Sequence, residues 1–339
     1  MTRVADLSTP VLVVNGPVLA ANLDRMSAAL PGSRLRPHVK AHKCTALARE
    51  QAARGHTHFT GATPRELVGL ARAGVGDDLL LANESVDGVR LGALATCGPD
   101  VTVAIDSTET LAAAVAAGVG NVLIDVNVGM PRCGCAPEDA GPLADAARAA
   151  GLAVSGVMGY EGHAVLVENR GTRTEHTSKA MDLLARAHAD VGGDIVSAGG
   201  TGTYDINTVA TEIQAGSYAL MDTAYAHLDL PFERALAVAA TIVHVAAKYA
   251  VADCGLKALG MDHGNPTIDH AEVWFCSDEH ITFAPVQAVE VGDGVLVWPA
   301  HVDPTVAYHD RMHIAEAAHV EAAIIDEWAV DLRGWDVSA

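Results

Sequence analysis

Short β-branched or apolar runs recur through the first two thirds of the chain. They lie at Arg34–Lys40, Thr57–Thr63, Asp78–Asn83, Val101–Asp106, Asn121–Gly129, Ala153–Tyr160, Asp194–Gly200 and Glu212–Leu220. Between them lie alanine-rich stretches with helical spacing, among them Cys44–Arg54, Pro64–Ala73, Thr108–Ala117, Pro137–Ala150 and Ser178–Val191. Strands alternating with helical segments predict βαβ units and a parallel sheet. Eight such strands predict a closed (β/α)8 barrel. An open doubly wound sheet is the other arrangement of such units, but no G-x-G-x-x-G follows the first strand.

After about Pro231 the pattern changes. Short alternating segments follow at Ala239–His244, Glu272–Phe275, Thr282–Pro285, Gly294–Pro299 and Glu327–Leu332, separated by turn residues at Asp253–Gly255, Asp262–Pro266 and Val291–Gly294. This predicts a mainly β domain. The opening run Thr9–Val14 reads as a strand, with Gly16-Pro17 as a turn after it, and is free to join that domain. The predicted division is a barrel over 17–231 and a β-domain formed by 1–16 with 232–339.

Composition narrows the function class. Asp and Glu number 42 against 22 Lys and Arg, a formal charge of −20, which argues against nucleic acid or an anionic membrane as partner. The run Ala235–Ala247, broken by Thr241 and His244, is too short to span a bilayer. The start, MTRVADLSTP, lacks the apolar centre of a signal peptide. Cys44, Cys97, Cys133, Cys135, Cys254 and Cys276 are scattered, and they read as reduced thiols of a cytoplasmic protein. Cys133 and Cys135 form a C-x-C with no second pair at ligand spacing, so they read as structural.

In a (β/α)8 barrel, chemistry sits at the C-terminal ends of the strands, with phosphate after strands seven and eight. The first strand ends in His38-Val39-Lys40, the seventh in Ser197-Ala198-Gly199-Gly200-Thr201-Gly202-Thr203, and the eighth holds Gly216-Ser217-Tyr218. Glycine-rich backbone with adjacent hydroxyls turns several donors toward one phosphate. A lysine facing such a site is the arrangement pyridoxal phosphate requires, since a desolvated amine attacks carbonyls. His301 and Asp303 are two apart, so on an extended strand both face the same way and can share a divalent cation.

The segment Arg36-Pro37-His38-Val39-Lys40-Ala41-His42-Lys43 resembles the cofactor-lysine signature of fold type III pyridoxal-phosphate enzymes, in the branch of D-threonine aldolases and D-serine dehydratases. Further segments agree in order: Gly129-Met130-Pro131-Arg132-Cys133-Gly134, Tyr160-Glu161-Gly162-His163, Gly199–Thr203, Gly216–Tyr218, Asp253–Lys257, Ser277–His280 and His301–Thr305. The resemblance covers nearly the whole chain. It implies an alanine-racemase-like barrel with a β-domain that takes the N-terminal strand.

The resemblance also implies roles. Lys40, rather than Lys43, would hold pyridoxal 5'-phosphate covalently, and Arg132 would stand near its phenolic oxygen. Gly200, Thr201, Gly202, Gly216, Ser217 and Tyr218 would bind its phosphate. Tyr160 would contact the ring, and His163 would carry a proton. His301 and Asp303 would ligate a metal, with Asp303 favouring Mn2+ or Mg2+ where the dehydratase branch has a Cys and zinc. The implied activity is a metal-dependent aldolase that cleaves D-β-hydroxy-α-amino acids, such as D-threonine, to glycine and an aldehyde. A D-serine or D-threo-3-hydroxyaspartate dehydratase, a β-hydroxyaspartate aldolase and a non-catalytic cofactor carrier are the alternatives. A homodimer is implied by the same resemblance. His309, His313 and His319, at loose helical spacing, read as a solvated face.

Overall fold

The structure, a computed structural model, describes residues 2–338. Met1 and Ala339, which the sequence reading includes in the β-domain, lie outside the described residues. The chain enters as β1 (Val11–Asn15) and α1 (Gly16–Ala29), then α2 (Thr45–Ala52). The βα alternation follows: β2 (His58–Gly61), α3 (Pro64–Arg72), β3 (Asp78–Leu81), α4 (Gly88–Ala95), β4 (Asp100–Ile105), α5 (Thr108–Ala117), β5 (Asn121–Asp125), α6 (Ala140–Ala149), β6 (Ala153–Gly159), α7 (Arg170–Val191), β7 (Ile195–Ala198) and β8 (Glu212–Ile213). The remainder is β9 (Leu236–Val245), β10 (Ala250–Ala252), β11 (Thr267–Ile268), β12 (Ala271–Cys276), β13 (Ile281–Pro285), β14 (Gly294–Trp298), α8 (Val302–Ala307), β15 (Arg311–Ala315) and β16 (Ile324–Ala329).

The chain divides into two compact units. One comprises 26–40, 48–216 and 332–338, and the other 2–25, 41–47 and 217–331. The first is built on a curled, all-parallel sheet of seven strands in the order β2 to β8. Its strands are apolar on both faces, as helix-covered parallel strands must be. Leu80, Ala104, Leu123 and Met158, from four consecutive strands, pack into one cluster.

Two predicted strands of this unit need correction. Arg34–Lys40 is not a ladder strand. Its middle makes isolated parallel bridges on both sides, Leu35 to Ile213 and His38 to Thr60, and so links the two end strands of the sheet. Pro37 has no N–H to donate, and a 3-10 turn over Val39–Ala41 ends the extended stretch. Glu212–Leu220 shortens likewise, since Ser217–Ala219 is a 3-10 turn.

The second unit carries a nine-stranded sheet with the path β12-β13-β10-β9-β1-β15-β16, with β14 pairing both β9 and β11. The N-terminal strand lies inside it, antiparallel to β9 and parallel to β15. Asp253 is one of its anchors, accepting from the Thr241 backbone N–H at 2.7 Å and from the Thr9 hydroxyl at 2.6 Å. Lys257 pairs with Glu279. The solvated-face reading fails for two histidines. His313 lies buried within β15, an interior strand paired with β1 and β16 whose residues from Met312 to Ala315 are all buried, and His309 is half-buried with Nε2 3.0 Å from the Ala258 carbonyl. Among the described residues no helix is long and apolar enough to cross a membrane.

Candidate active site

In the barrel unit the predicted cofactor residues meet at Tyr160, which follows β6. The Lys40 ammonium lies 5.9 Å from the centre of its ring, and the Arg132 guanidinium carbon 5.3 Å from the same centre. A Cβ placed on Gly200 would stand 3.5 Å from the Tyr160 ring, so the glycine-rich loop after β7 touches it too. A lysine, an arginine and a bare backbone loop therefore converge on one aromatic ring. Beside them a small open cleft is lined by Asp125, Met130, Arg132, Cys133 and Tyr160, among others. His163 stands against the loop that precedes Arg132, 3.1 Å from where a Gly129 side chain would begin. Its ring centre lies 6.1 Å from that of His176.

The glycine-rich loop is organised by a residue to which the sequence reading gave no role. Glu161 is fully buried and accepts from the Gly199 N–H at 3.1 Å, the Thr203 hydroxyl at 2.9 Å and the Asn207 amide at 3.2 Å. The Gly200 N–H in turn donates to the Thr203 hydroxyl oxygen at 3.1 Å. Gly202 is compulsory on steric grounds, since a Cβ there would sit 1.8 Å from the Val165 carbonyl oxygen. The signal for Glu161 was present in the Tyr-x-Gly-His motif that contains it. A carboxylate that saturates three donors while buried is a scaffold, not a reactant.

Below Arg132 the chemistry is protonated. Burial, and then the Glu84 carboxyl, hold Asp125 well above the usual carboxylate range. A hydrogen bond to Glu84, with burial, pushes the Cys133 thiol up to about 11, and burial pushes Cys135 up to about 12. Glu84, Asp106 and Cys133 present ligand atoms within 4.8 Å of one another. Cys133 and Cys135 therefore stay protonated at neutral pH.

These residues fit pyridoxal phosphate: an amine and a guanidinium over one ring, and a loop whose backbone a side chain would block. Gly216 ends the stretch of the barrel unit that holds β8, and Ser217 and Tyr218, in the other unit, begin the 3-10 turn. There Tyr218 is buried, its ring centre 5.7 Å from that of Phe232.

The predicted metal pair also lies in that unit, but not on a strand. His301 is the N-cap of α8 and Asp303 lies in its first turn. Pro304 accounts for this, because proline fits a first helical turn and ends a ladder. The pair still converges, with Nε2 of His301 3.7 Å from Oδ2 of Asp303. That carboxylate oxygen is buried and has no hydrogen-bond partner among the described residues. Asp222, unflagged by sequence, accepts from the Val302 N–H at 3.0 Å through Oδ2, and its Oδ1 is likewise buried without a partner. Burial pushes Asp222 up to about 7. Lys43 donates to the Asp303 carbonyl at 2.8 Å. The unmatched Oδ2 of Asp303 beside the Nε2 of His301 fits a hard divalent cation.

Residues 14–223 match the family described as alanine racemase, N-terminal domain, and residues 235–315 match a putative serine dehydratase domain. A D-threonine aldolase from an Arthrobacter species is 32% identical over 98% of this chain and 94% of its own length. A 3-hydroxy-D-aspartate aldolase from Paracoccus denitrificans is 29% identical over 97% of this chain and 93% of its own. The crystal structure of a D-threonine aldolase from Filomicrobium marinum superposes with a TM-score of 0.90 at 30% identity, covering 97% of this chain and 96% of that one. The convergence of Lys40, Arg132 and the glycine-rich loop on Tyr160 thus has a family to belong to: this chain is a member of the alanine-racemase-like, fold type III family of pyridoxal-phosphate enzymes.

Proposed function

We propose that the protein is a pyridoxal-phosphate- and divalent-metal-dependent aldolase that cleaves D-β-hydroxy-α-amino acids, D-threonine among them, to glycine and an aldehyde. The observation that carries this reading is the His301–Asp303 pair, with an unmatched buried carboxylate oxygen facing an imidazole nitrogen. Such a pair suits Mn2+ or Mg2+. The relatives named aldolases support the reaction class.

When bound, the cofactor supplies an electron sink for the Cα–Cβ bond, and the cation supplies Lewis acidity toward the β-hydroxyl. The chain's residues do the rest. Lys40 anchors the cofactor, and Arg132 favours negative charge on its phenolic oxygen. Gly200, Thr201 and Gly202 turn donors toward its phosphate, with Gly216, Ser217 and Tyr218 assigned to the same group. Tyr160 packs on its ring. His163, exposed at the barrel's strand ends, takes the proton from the β-hydroxyl oxygen. His301 and Asp303 would hold the cation. The protein works as a soluble homodimer in the cytoplasm, on a small-molecule substrate and with no nucleic-acid or membrane partner.

Purified protein with pyridoxal phosphate and D-threonine, chelated and then with or without Mn2+, tests the reading. Metal-dependent glycine and acetaldehyde are expected. Ammonia and 2-oxobutanoate would instead make it a dehydratase. Cleavage of 3-hydroxy-D-aspartate in preference to D-threonine would move the substrate, in line with the Paracoccus relative, while keeping the chemistry.

A further inference from the structure

We infer that Asp262 is a positioning residue of the cation site: it sets which nitrogen of His301 faces the ion. The inference rests on the metal reading above. Neutral imidazole has one protonated and one ligating nitrogen, and the partner of the first decides which is which. Oδ2 of Asp262 lies 2.8 Å from Nδ1 of His301. An ionised carboxylate only accepts, so the proton sits on Nδ1 and the lone pair is left on Nε2. Nε2 is the nitrogen that faces the unmatched Oδ2 of Asp303. The hydrogen bond therefore turns the ring, and assigns its tautomer, for one ion shared with Asp303.

Backbone geometry holds Asp262 in place. Gly260 forms an antiparallel bridge with His301. Its N–H donates to the Thr305 hydroxyl oxygen at 2.9 Å, and that hydroxyl donates to the His301 carbonyl at 2.7 Å. A Cβ on Gly260 would lie 2.2 Å from Pro304, so only glycine lets this loop dock on the start of α8. His263 stacks on His301 with ring centres 4.0 Å apart and planes 5° apart, which restrains the ring against rotation. Asp262, His263 and His301 offer ligand atoms within 4.8 Å of one another, so the rival assignment makes Asp262 and His263 ligands themselves. The geometry favours positioning. Nδ1 is already engaged, and the Asp262 side chain is 56% exposed against 16% for Asp303.

The test titrates Mn2+ alone into metal-free protein that retains its cofactor, reading free Mn2+ by electron paramagnetic resonance. Asp262→Ala should weaken Mn2+ binding about 10- to 100-fold, the usual cost of removing the partner of a ligating histidine. Asp262→Asn keeps an acceptor for the Nδ1 proton and should recover most of that loss. His263→Ala should shift affinity by no more than about threefold. The cofactor's absorbance should be unchanged throughout. Wild-type affinity in Asp262→Ala, with His301→Ala and Asp303→Ala binding nothing, overturns the positioning role and leaves the metal reading standing. Asn as weak as Ala, or His263→Ala as damaging as Asp262→Ala, makes these residues ligands and also overturns it. Mn2+ bound normally by His301→Ala and Asp303→Ala removes the metal reading itself, and with it this inference.

Discussion

Nε of Arg36 lies 2.8 Å from Oε1 of Glu212, a residue 176 positions further along the chain. The other edge of the guanidinium forks onto both carboxylate oxygens of Asp78, at 3.0 Å each. Arg36 sits in the bridging segment that links the end strands of the parallel sheet, and Glu212 opens the last of those strands. The ion pair therefore staples the barrel where its backbone ladder is thinnest. It also sets the segment that ends, four residues later, in Lys40.

Removing one partner of this buried pair should cost far more than a surface ion pair does. Arg36 is 2% exposed, and among the described residues Glu212 has only the Ser197 hydroxyl besides it. Arg36→Ala should lower stability by about 3–5 kcal/mol, because it strands a buried carboxylate. Urea unfolding of the metal- and cofactor-free protein measures this. A loss below about 1 kcal/mol, the range of exposed pairs, would show that the seam does not depend on it.

Glu161 gives a prediction confined to the cofactor loop. Glu161→Gln replaces one acceptor oxygen by a donor amide, so a donor among Gly199, Thr203 and Asn207 loses its partner. A buried unsatisfied group costs about 1–3 kcal/mol. The loop's hold on the cofactor should weaken by about tenfold or more. Dialysis followed by absorbance of the retained cofactor reads this directly. Mn2+ affinity should not change, since the metal residues are elsewhere in the sequence and in the other unit.

Much of this was legible in advance, and the failures have physical causes. Parallel strands buried on both faces read as continuous apolar runs, so the βα alternation is visible in composition alone. Tyr160 and the glycine-rich loop directly follow β6 and β7, so counting strands points to them, whereas Lys40 follows a segment that forms no ladder. The turn expected at Gly16-Pro17 is instead the start of helix α1. Pro17 stands in its first turn, and Asn15 accepts the Val18 N–H at 3.2 Å, as a capping residue does. The strand geometry expected for His301 and Asp303 fails for the same reason at Pro304. Asp262 and Asp222 carry no local pattern. Each matters through a partner 39 or 80 residues away, a distance over which one sequence gives no signal.

Removing the metal pair should separate chemistry from cofactor binding. His301→Ala or Asp303→Ala should abolish metal-dependent turnover and leave the cofactor's absorbance near that of the wild type. Asp303→Ala also relieves the crowding of carboxylates beside Asp222, so the metal-free variant should unfold no more easily than the metal-free wild type. Loss of the cofactor band in both variants would assign the pair a folding role instead.

A pH dependence follows from His56, which is buried between Ser27 and the Gly32 carbonyl, with Nε2 2.8 Å from the Ser27 hydroxyl and Nδ1 3.0 Å from the carbonyl. Burial holds its folded-state pKa below the ordinary histidine value. The unfolded chain therefore takes up this proton first as the pH falls. Where the unfolded state binds more protons, stability rises with pH. The contribution of His56 is fully present above the unfolded value, about 6.5, and is lost as the pH drops through the lower folded value. His56→Gln cannot titrate, so the stability difference between wild type and variant should favour wild type more at pH 7.5 than at pH 5.5. Urea midpoints of both proteins at the two pH values measure this. A constant difference would mean that burial leaves the ring's pKa unchanged, and one larger at the acid value that the buried ring is protonated in the fold.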